Sequence, residues 1–161
     1  MPAKPETTFI QGTHKYLPDK RTLHREKMNN PYSSGTADCW YSGKAADLWV
    51  EYKYLAELPK RDSTLLVPGL SEQQQDWCRN RFNEGRNVVV VLGTKLGAVI
   101  FRHPDEWANG LSTAVCRSRL VTRQALAAQI AQHCLEGLLL CYRPLAQSSE
   151  AFSSSLVEPK P

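Results

Sequence analysis

The chain has 161 residues, a formal net charge of +4 and a pI near 8.8. That length suits one domain with a real core, and the mild basicity is compatible with a polyanionic partner without specifying one. Five cysteines, at positions 39, 78, 116, 134 and 141, contain no Cys-x-x-Cys pair, which argues against a disulfide framework or a zinc ribbon and makes reduced thiols in a cytoplasmic protein the expectation.

No signal peptide and no membrane-spanning run is read in the chain. The apolar fraction of 42% is on the low side, in keeping with polar ends. His103, Cys116, His133 and Cys134 are conceivable metal ligands, but their spacing fits no zinc pattern.

Residues 1–5 read as a frayed terminus. From Glu6 to about Leu17, the residues Phe9, Ile10, Thr13, His14 and Leu17 follow a helical stripe that Pro18 ends. Leu23 to Met28 reads as a strand bearing His24, Arg25, Glu26 and Lys27, followed by a dense turn signal from Asn29 to Gly35. Two short aromatic and β-branched runs then flank Gly43-Lys44-Ala45-Ala46, the pattern of a β-hairpin. Because side chains alternate faces along a strand, Asp47, Trp49, Glu51 and Lys53 share one face, and Leu48, Val50, Tyr52 and Tyr54 the other. Asp38 comes alongside from the first strand. Two carboxylates and a lysine at the end of a sheet suit a Mg²⁺ site for phosphodiester hydrolysis. Glu-x-Lys alone is a weak signal, since Glu158-Pro159-Lys160 repeats it in a Pro-rich tail; a solvated strand face with a weak ion pair is the plain alternative.

Glu57 to Gly69 reads as a long loop whose Lys60 and Arg61 can meet a phosphate backbone or simply be solvated. Ser71-Glu72-Gln73-Gln74 forms a capping box that opens a helix, and Gly85 ends it. Asn87 to Leu92 is a continuous apolar run expected to be a central strand, with Ala98 to Phe101 as the return strand. A short helix can start at Pro104. Another is expected over Arg123–Glu136, capped by Thr122 and ended by Gly137, packing on the sheet or on a second copy of the chain. From Gln147 onward the composition predicts a mobile tail.

Gly35-x-x-Asp38, a strand turn and Glu51-x-Lys53, followed by Leu70-Ser71-x-x-Gln74, Gly85 and the Val88–Val91 run, resemble the PD-(D/E)xK nuclease superfamily. The nearest flavour is the phage-type stand-alone VRR-NUC or Holliday-junction-resolvase-like nuclease. The similarity covers residues 6–101, and the family's Pro before the Asp is Ala37 here. The resemblance implies an α/β, restriction-endonuclease-like core, a mixed β-sheet flanked by helices. Beyond the resemblance, length and composition extend this to one nuclease-like domain over 1–146, comprising that core and a helical addition at 103–146, with 147–161 as the tail.

By the same resemblance the chain is a Mg²⁺- or Mn²⁺-dependent deoxyribonuclease acting on branched DNA as a homodimer, in the host cytoplasm if phage-encoded. Asp38 and Glu51 hold the metal with a main-chain carbonyl near Tyr52, and Lys53 positions or activates water. Glu6 and Gln74 give support; Gln74 also has its purely structural capping role, and Glu26 competes with Glu6. Arg25, Lys27, Lys60 and Arg61 are the expected DNA contacts. The alternative is a catalytically silent binding protein on the same scaffold, one that coats a DNA structure or blocks a host factor.

Overall fold

A computed structural model describes residues 2–143. Helix α1 spans Pro5–His14, and a looser turn carries the chain to buried Leu17, so the regular helix ends three residues before the apolar stripe does. Strand β1 is His24–Lys27. Strands β2 (Cys39–Ser42) and β3 (Asp47–Tyr54) form the expected hairpin, with Ser42 opposite Asp47 across the loop. Helix α2 (Glu72–Asn83) begins at the capping box and gives way to Gly85, and strands β5 (Val88–Gly93) and β6 (Ala98–Phe101) follow.

These five strands form one sheet in the order β1-β2-β3-β5-β6. Only the β3–β5 pair is parallel. The reason is connectivity: α2 carries the chain back along the sheet between them, whereas hairpin-linked strands pair antiparallel. Every residue of β5 is buried, as a central strand covered on both faces requires. The protein is thus an α/β fold with a mixed sheet flanked by helices.

Helices α1 and α5 (Arg123–Glu136) pack on each other and on β3. Phe9 of α1 meets Tyr52 and Tyr54, which fixes the Leu48-Val50-Tyr52-Tyr54 side as the one beneath α1. Helix α2 lies on the opposite side, where its Trp77 meets Trp49 edge-on. Thr122 caps α5 and Gly137 ends it in the left-handed conformation; its Leu126, Ala127, Ile130 and Cys134 are fully buried. Of the two expected roles for this helix, packing on the sheet is the one observed. The β2–β3 turn closes over its end: Ala45 and Ala46 donate to the Cys134 carbonyl, and a Cβ on Gly43 would stand 2.5 Å from that oxygen.

Three elements depart from the expectation of loop or unassigned chain. Strand β4 (Leu65–Leu66) lies inside the presumed loop and pairs with β7 (Leu111–Ser112) in a separate two-stranded sheet, and helix α4 (Thr113–Arg119) follows β7. Two-residue strands are too short to show a period, so only their pairing defines them. Helix α3 (Pro104–Asn109) is the short helix expected at Pro104. No helix among the described residues is long and apolar enough to cross a membrane. The tail from Gln147 lies outside the described residues.

Candidate active site

The β2–β3 register pairs Cys39 with Val50, and one further step sets Asp38 opposite Glu51. Asp38 is held on both sides. Its carboxylate Oδ2 accepts from the Tyr52 backbone N–H at 2.9 Å, and its backbone carbonyl accepts from Met28 N–H at 2.7 Å, just beyond β1. Gly35, three residues earlier, has φ +88° and sits against the first turn of α2; a Cβ there would stand 2.4 Å from the Gln73 carbonyl oxygen. A glycine is required on both counts, and it brings the loop carrying Asp38 beside the start of α2.

Glu51 has no solvent exposure, and Lys53 Nζ lies 2.9 Å from its Oε1. Apart from this ion pair, neither buried Glu51 oxygen has a hydrogen-bond donor among the described residues. Burial first, then the charge of Asp38, push the Glu51 carboxyl up to about 7, against the pull of Lys53.

Glu6, in the first turn of α1, belongs to the same cluster. Burial and the Asp38 charge raise its carboxyl above the usual range, while Lys53, Lys27 and Lys4 pull it down. Glu26, the competing glutamate, lies on exposed edge strand β1 with His24 3.3 Å away. Tertiary packing therefore gathers Glu6, Asp38, Glu51 and Lys53, which are scattered over 48 positions of sequence.

Gln74 takes the capping role. Its Oε1 accepts from Ser71 N–H at 3.0 Å while its own N–H donates to Ser71 Oγ at 3.2 Å. The side-chain carbonyl is turned to its own helix start, so a supporting role at the acid cluster requires it to leave the cap.

The expected DNA contacts are placed unequally. Lys27 is exposed and close enough for its charge to act on Glu6. Arg25 donates from Nη1 to the Pro18 carbonyl at 2.9 Å. Lys60 and Arg61 are exposed on a segment tied to α4, where Arg117 bonds Asp62 Oδ1 at 3.0 Å and the Pro59 and Lys60 carbonyls. The charges acting on the Glu6 carboxyl come from Lys4, Lys27 and Lys53 instead. Lys4, the N-cap residue of α1, escaped sequence reasoning because it belongs to a segment read as frayed.

The four conceivable zinc ligands are engaged separately. His103 caps α3 through Nδ1, and His133 bridges the Asp47 carbonyl and the Leu140 N–H. Cys116 and Cys134 are buried, and burial raises both thiols. Among the described residues, no group of three His, Cys, Asp or Glu side chains is arranged to hold a metal ion. A magnesium site does not need three, because Mg²⁺ keeps several waters and takes one or two carboxylates from the protein. Asp38 and the buried oxygens of Glu51 fit that demand.

No family model matches the chain, and no curated protein matches it. Among solved structures, the chain is similar to Hjc, a Holliday junction resolvase from the archaeal hyperthermophile Archaeoglobus fulgidus. The match covers 76% of this chain and 99% of that one, with 12% identity and a TM-score of 0.44. A likeness at that identity and score carries no argument about activity.

Proposed function

We propose that the protein is a metal-dependent deoxyribonuclease that hydrolyses phosphodiester bonds, with Mg²⁺ or Mn²⁺ held by Asp38, Glu51 and the Tyr52 main-chain carbonyl. The observation that carries this reading is Glu51: a carboxylate with no exposure, beside a second carboxylate, whose one close polar partner among the described residues is the Lys53 ammonium at 2.9 Å. Such a group is costly to the fold, and a cation with its water shell offsets the cost. When bound, the cation supplies Lewis-acid stabilisation of charge on the phosphate and lowers the pKa of water.

The chain's own residues do the rest. The Tyr52 N–H orients Asp38, so that its other oxygen is free to face the ion. Lys53 Nζ, held against Glu51, positions the attacking water and balances the charge gathering on the phosphate oxygens. Glu6 adds a third carboxylate at the rim, able to accept a hydrogen bond from that water. Lys4 and Lys27 lie around Glu6 and attract backbone phosphates. Branched DNA as substrate, and a homodimer to cut it symmetrically, rest on the sequence resemblance.

The test is a gel assay with linear duplex, single-stranded, flapped and four-way DNA, in Mg²⁺, Mn²⁺ and Ca²⁺. Cleavage in Mg²⁺ or Mn²⁺, strongest on the branched forms, is expected. A protein that cuts none of them defeats the nuclease reading and leaves a DNA-structure binder or an inhibitor of a host factor on the same scaffold.

A further inference from the structure

The sheet face that carries Glu51 also carries an aromatic row. Trp40 of β2 and Trp49 of β3 are cross-strand partners, with rings 6.0 Å apart and 27° between their planes. His24 of β1 meets Trp40 edge-on at 5.4 Å, and Trp77 of α2 meets Trp49 at 5.2 Å. Trp49 and Trp77 pack on the core. Trp40 is half-buried on the β1–β2 side of the sheet, beyond them.

A stacked cross-strand pair stabilises a hairpin by itself. Two observations go beyond that role. First, the Trp40–Trp49 rung lies two residues along the same strands from the Asp38–Glu51 rung. That distance is about 7 Å at the rise of a strand, comparable with one nucleotide step in an extended strand. Second, the far side of the tryptophans opens into a cavity of about 590 Å³ that Lys44, Arg86, Asp47 and Asn87 also line. Its one carboxylate is already engaged, because Ser42 Oγ donates to Asp47 Oδ1 at 2.6 Å. The two cations are exposed. An aromatic plane with exposed cations beyond it is the arrangement that holds single-stranded nucleic acid, the base on the ring and the backbone on the charges.

We propose that this face binds an unpaired stretch of a DNA strand. One base stacks on Trp40, a single nucleotide step from the acid cluster, and the phosphates beyond it run toward Lys44 and Arg86. The placement of the strand relative to a scissile phosphate rests on the nuclease reading; the binding site itself does not.

The experiment measures binding of oligothymidylate of about ten nucleotides in EDTA, by fluorescence anisotropy, against an abasic oligomer of equal length and a blunt duplex. The parent should bind the thymidylate tightest. Trp40→Ala should weaken that binding on the order of tenfold or more, Trp40→Phe should restore most of it, and the abasic oligomer should bind parent and Trp40→Ala alike. Lys44→Ala with Arg86→Ala should flatten the salt dependence by about 1.4 in log–log slope. Thermal melts identify a variant that has lost its fold, in which case the abasic comparison on the parent decides. The proposal is overturned if the parent binds abasic and thymidylate oligomers equally, or if a folded Trp40→Ala binds thymidylate as the parent does. These outcomes are separate from cleavage. A parent that binds through Trp40 yet cuts nothing defeats the nuclease reading alone; one that cuts DNA with no role for Trp40 defeats this inference alone.

Discussion

Replacing Glu51 by Gln should make the metal-free protein more stable. The side chain is fully buried, its oxygens have no close polar partner but Lys53 among the described residues, and its carboxyl is pushed from 4.5 up to about 7. A carboxyl whose folded pKa lies above its unfolded value binds more protons when folded. Its contribution therefore falls as pH rises from 4.5 to about 7, and stays low above that. The displacement corresponds to about 3 kcal/mol of stability forgone at pH 8. Glutamine removes the charge but places an amide beside Lys53, which returns about 1–2 kcal/mol in an imperfectly satisfied group. The net gain is about 1–2 kcal/mol, or a rise in Tm on the order of 5 °C for a chain of this size. The assay is thermal unfolding followed by circular dichroism in EDTA at pH 8 and pH 5. The gain should appear at pH 8 and shrink at pH 5, where the parent's Glu51 is protonated. Mg²⁺ should raise the parent's Tm and leave the variant's nearly unchanged. A Glu51→Gln protein that melts at or below the parent at pH 8, or a gap of equal size at both pH values, would refute the reasoning. The sign matters functionally, because a residue that weakens the fold and is relieved by a cation is held for the site rather than for the scaffold.

Other expectations follow from the same geometry. Lys53→Ala should cut the cleavage rate on the order of 100-fold or more while Ca²⁺-supported DNA binding survives; a variant as active as the parent makes the Glu51–Lys53 contact ornamental. Asp38→Asn should weaken both metal binding by calorimetry and cleavage, since the amide can still accept from Tyr52 N–H but no longer attracts the cation; unchanged metal affinity would remove Asp38 from the site. Lys27→Ala should lower the log–log salt slope of DNA binding by about one, whereas Lys60 and Arg61, outside the acid cluster, should matter less; equal slopes in all variants would clear both groups. His14, whose ring is held by burial and then by Arg25 at about 4 rather than 6.5, and which hydrogen-bonds Tyr41 at 2.7 Å, contributes stability present above pH 6.5 and lost as pH falls toward 4. This amounts to at most about 3 kcal/mol. Because Glu51 acts in the opposite sense over the same range, the readout is the difference in urea midpoint between parent and His14→Gln, which should change with pH; a constant difference would show that the ring is not held neutral.

What the sequence determined by itself is local. The capping box at Ser71 and Gln74, the Thr122 cap and Gly137 stop of α5, the Val88–Gly93 strand and the Gly43–Ala46 hairpin turn all depend on chemistry within a few residues. Caps, periods and turns act at that range. Strand alternation likewise put Glu51 and Lys53 on one face before any fold was known. Tertiary structure decided what depends on distant partners. It set Glu6 rather than Glu26 within range of the Asp38 charge, because α1 returns over the sheet while β1 is left at the edge. It turned Gln74 to its own helix, brought Lys4 into the rim, and paired Leu66 of β4 with Leu111 of β7 across 45 positions. It buried Glu51 with Lys53 as its one close polar partner among the described residues, and it stacked Trp40 on Trp49. Burial and field are sums over neighbours that only packing assembles, so the charge a carboxylate carries cannot be read from the residues beside it in the chain.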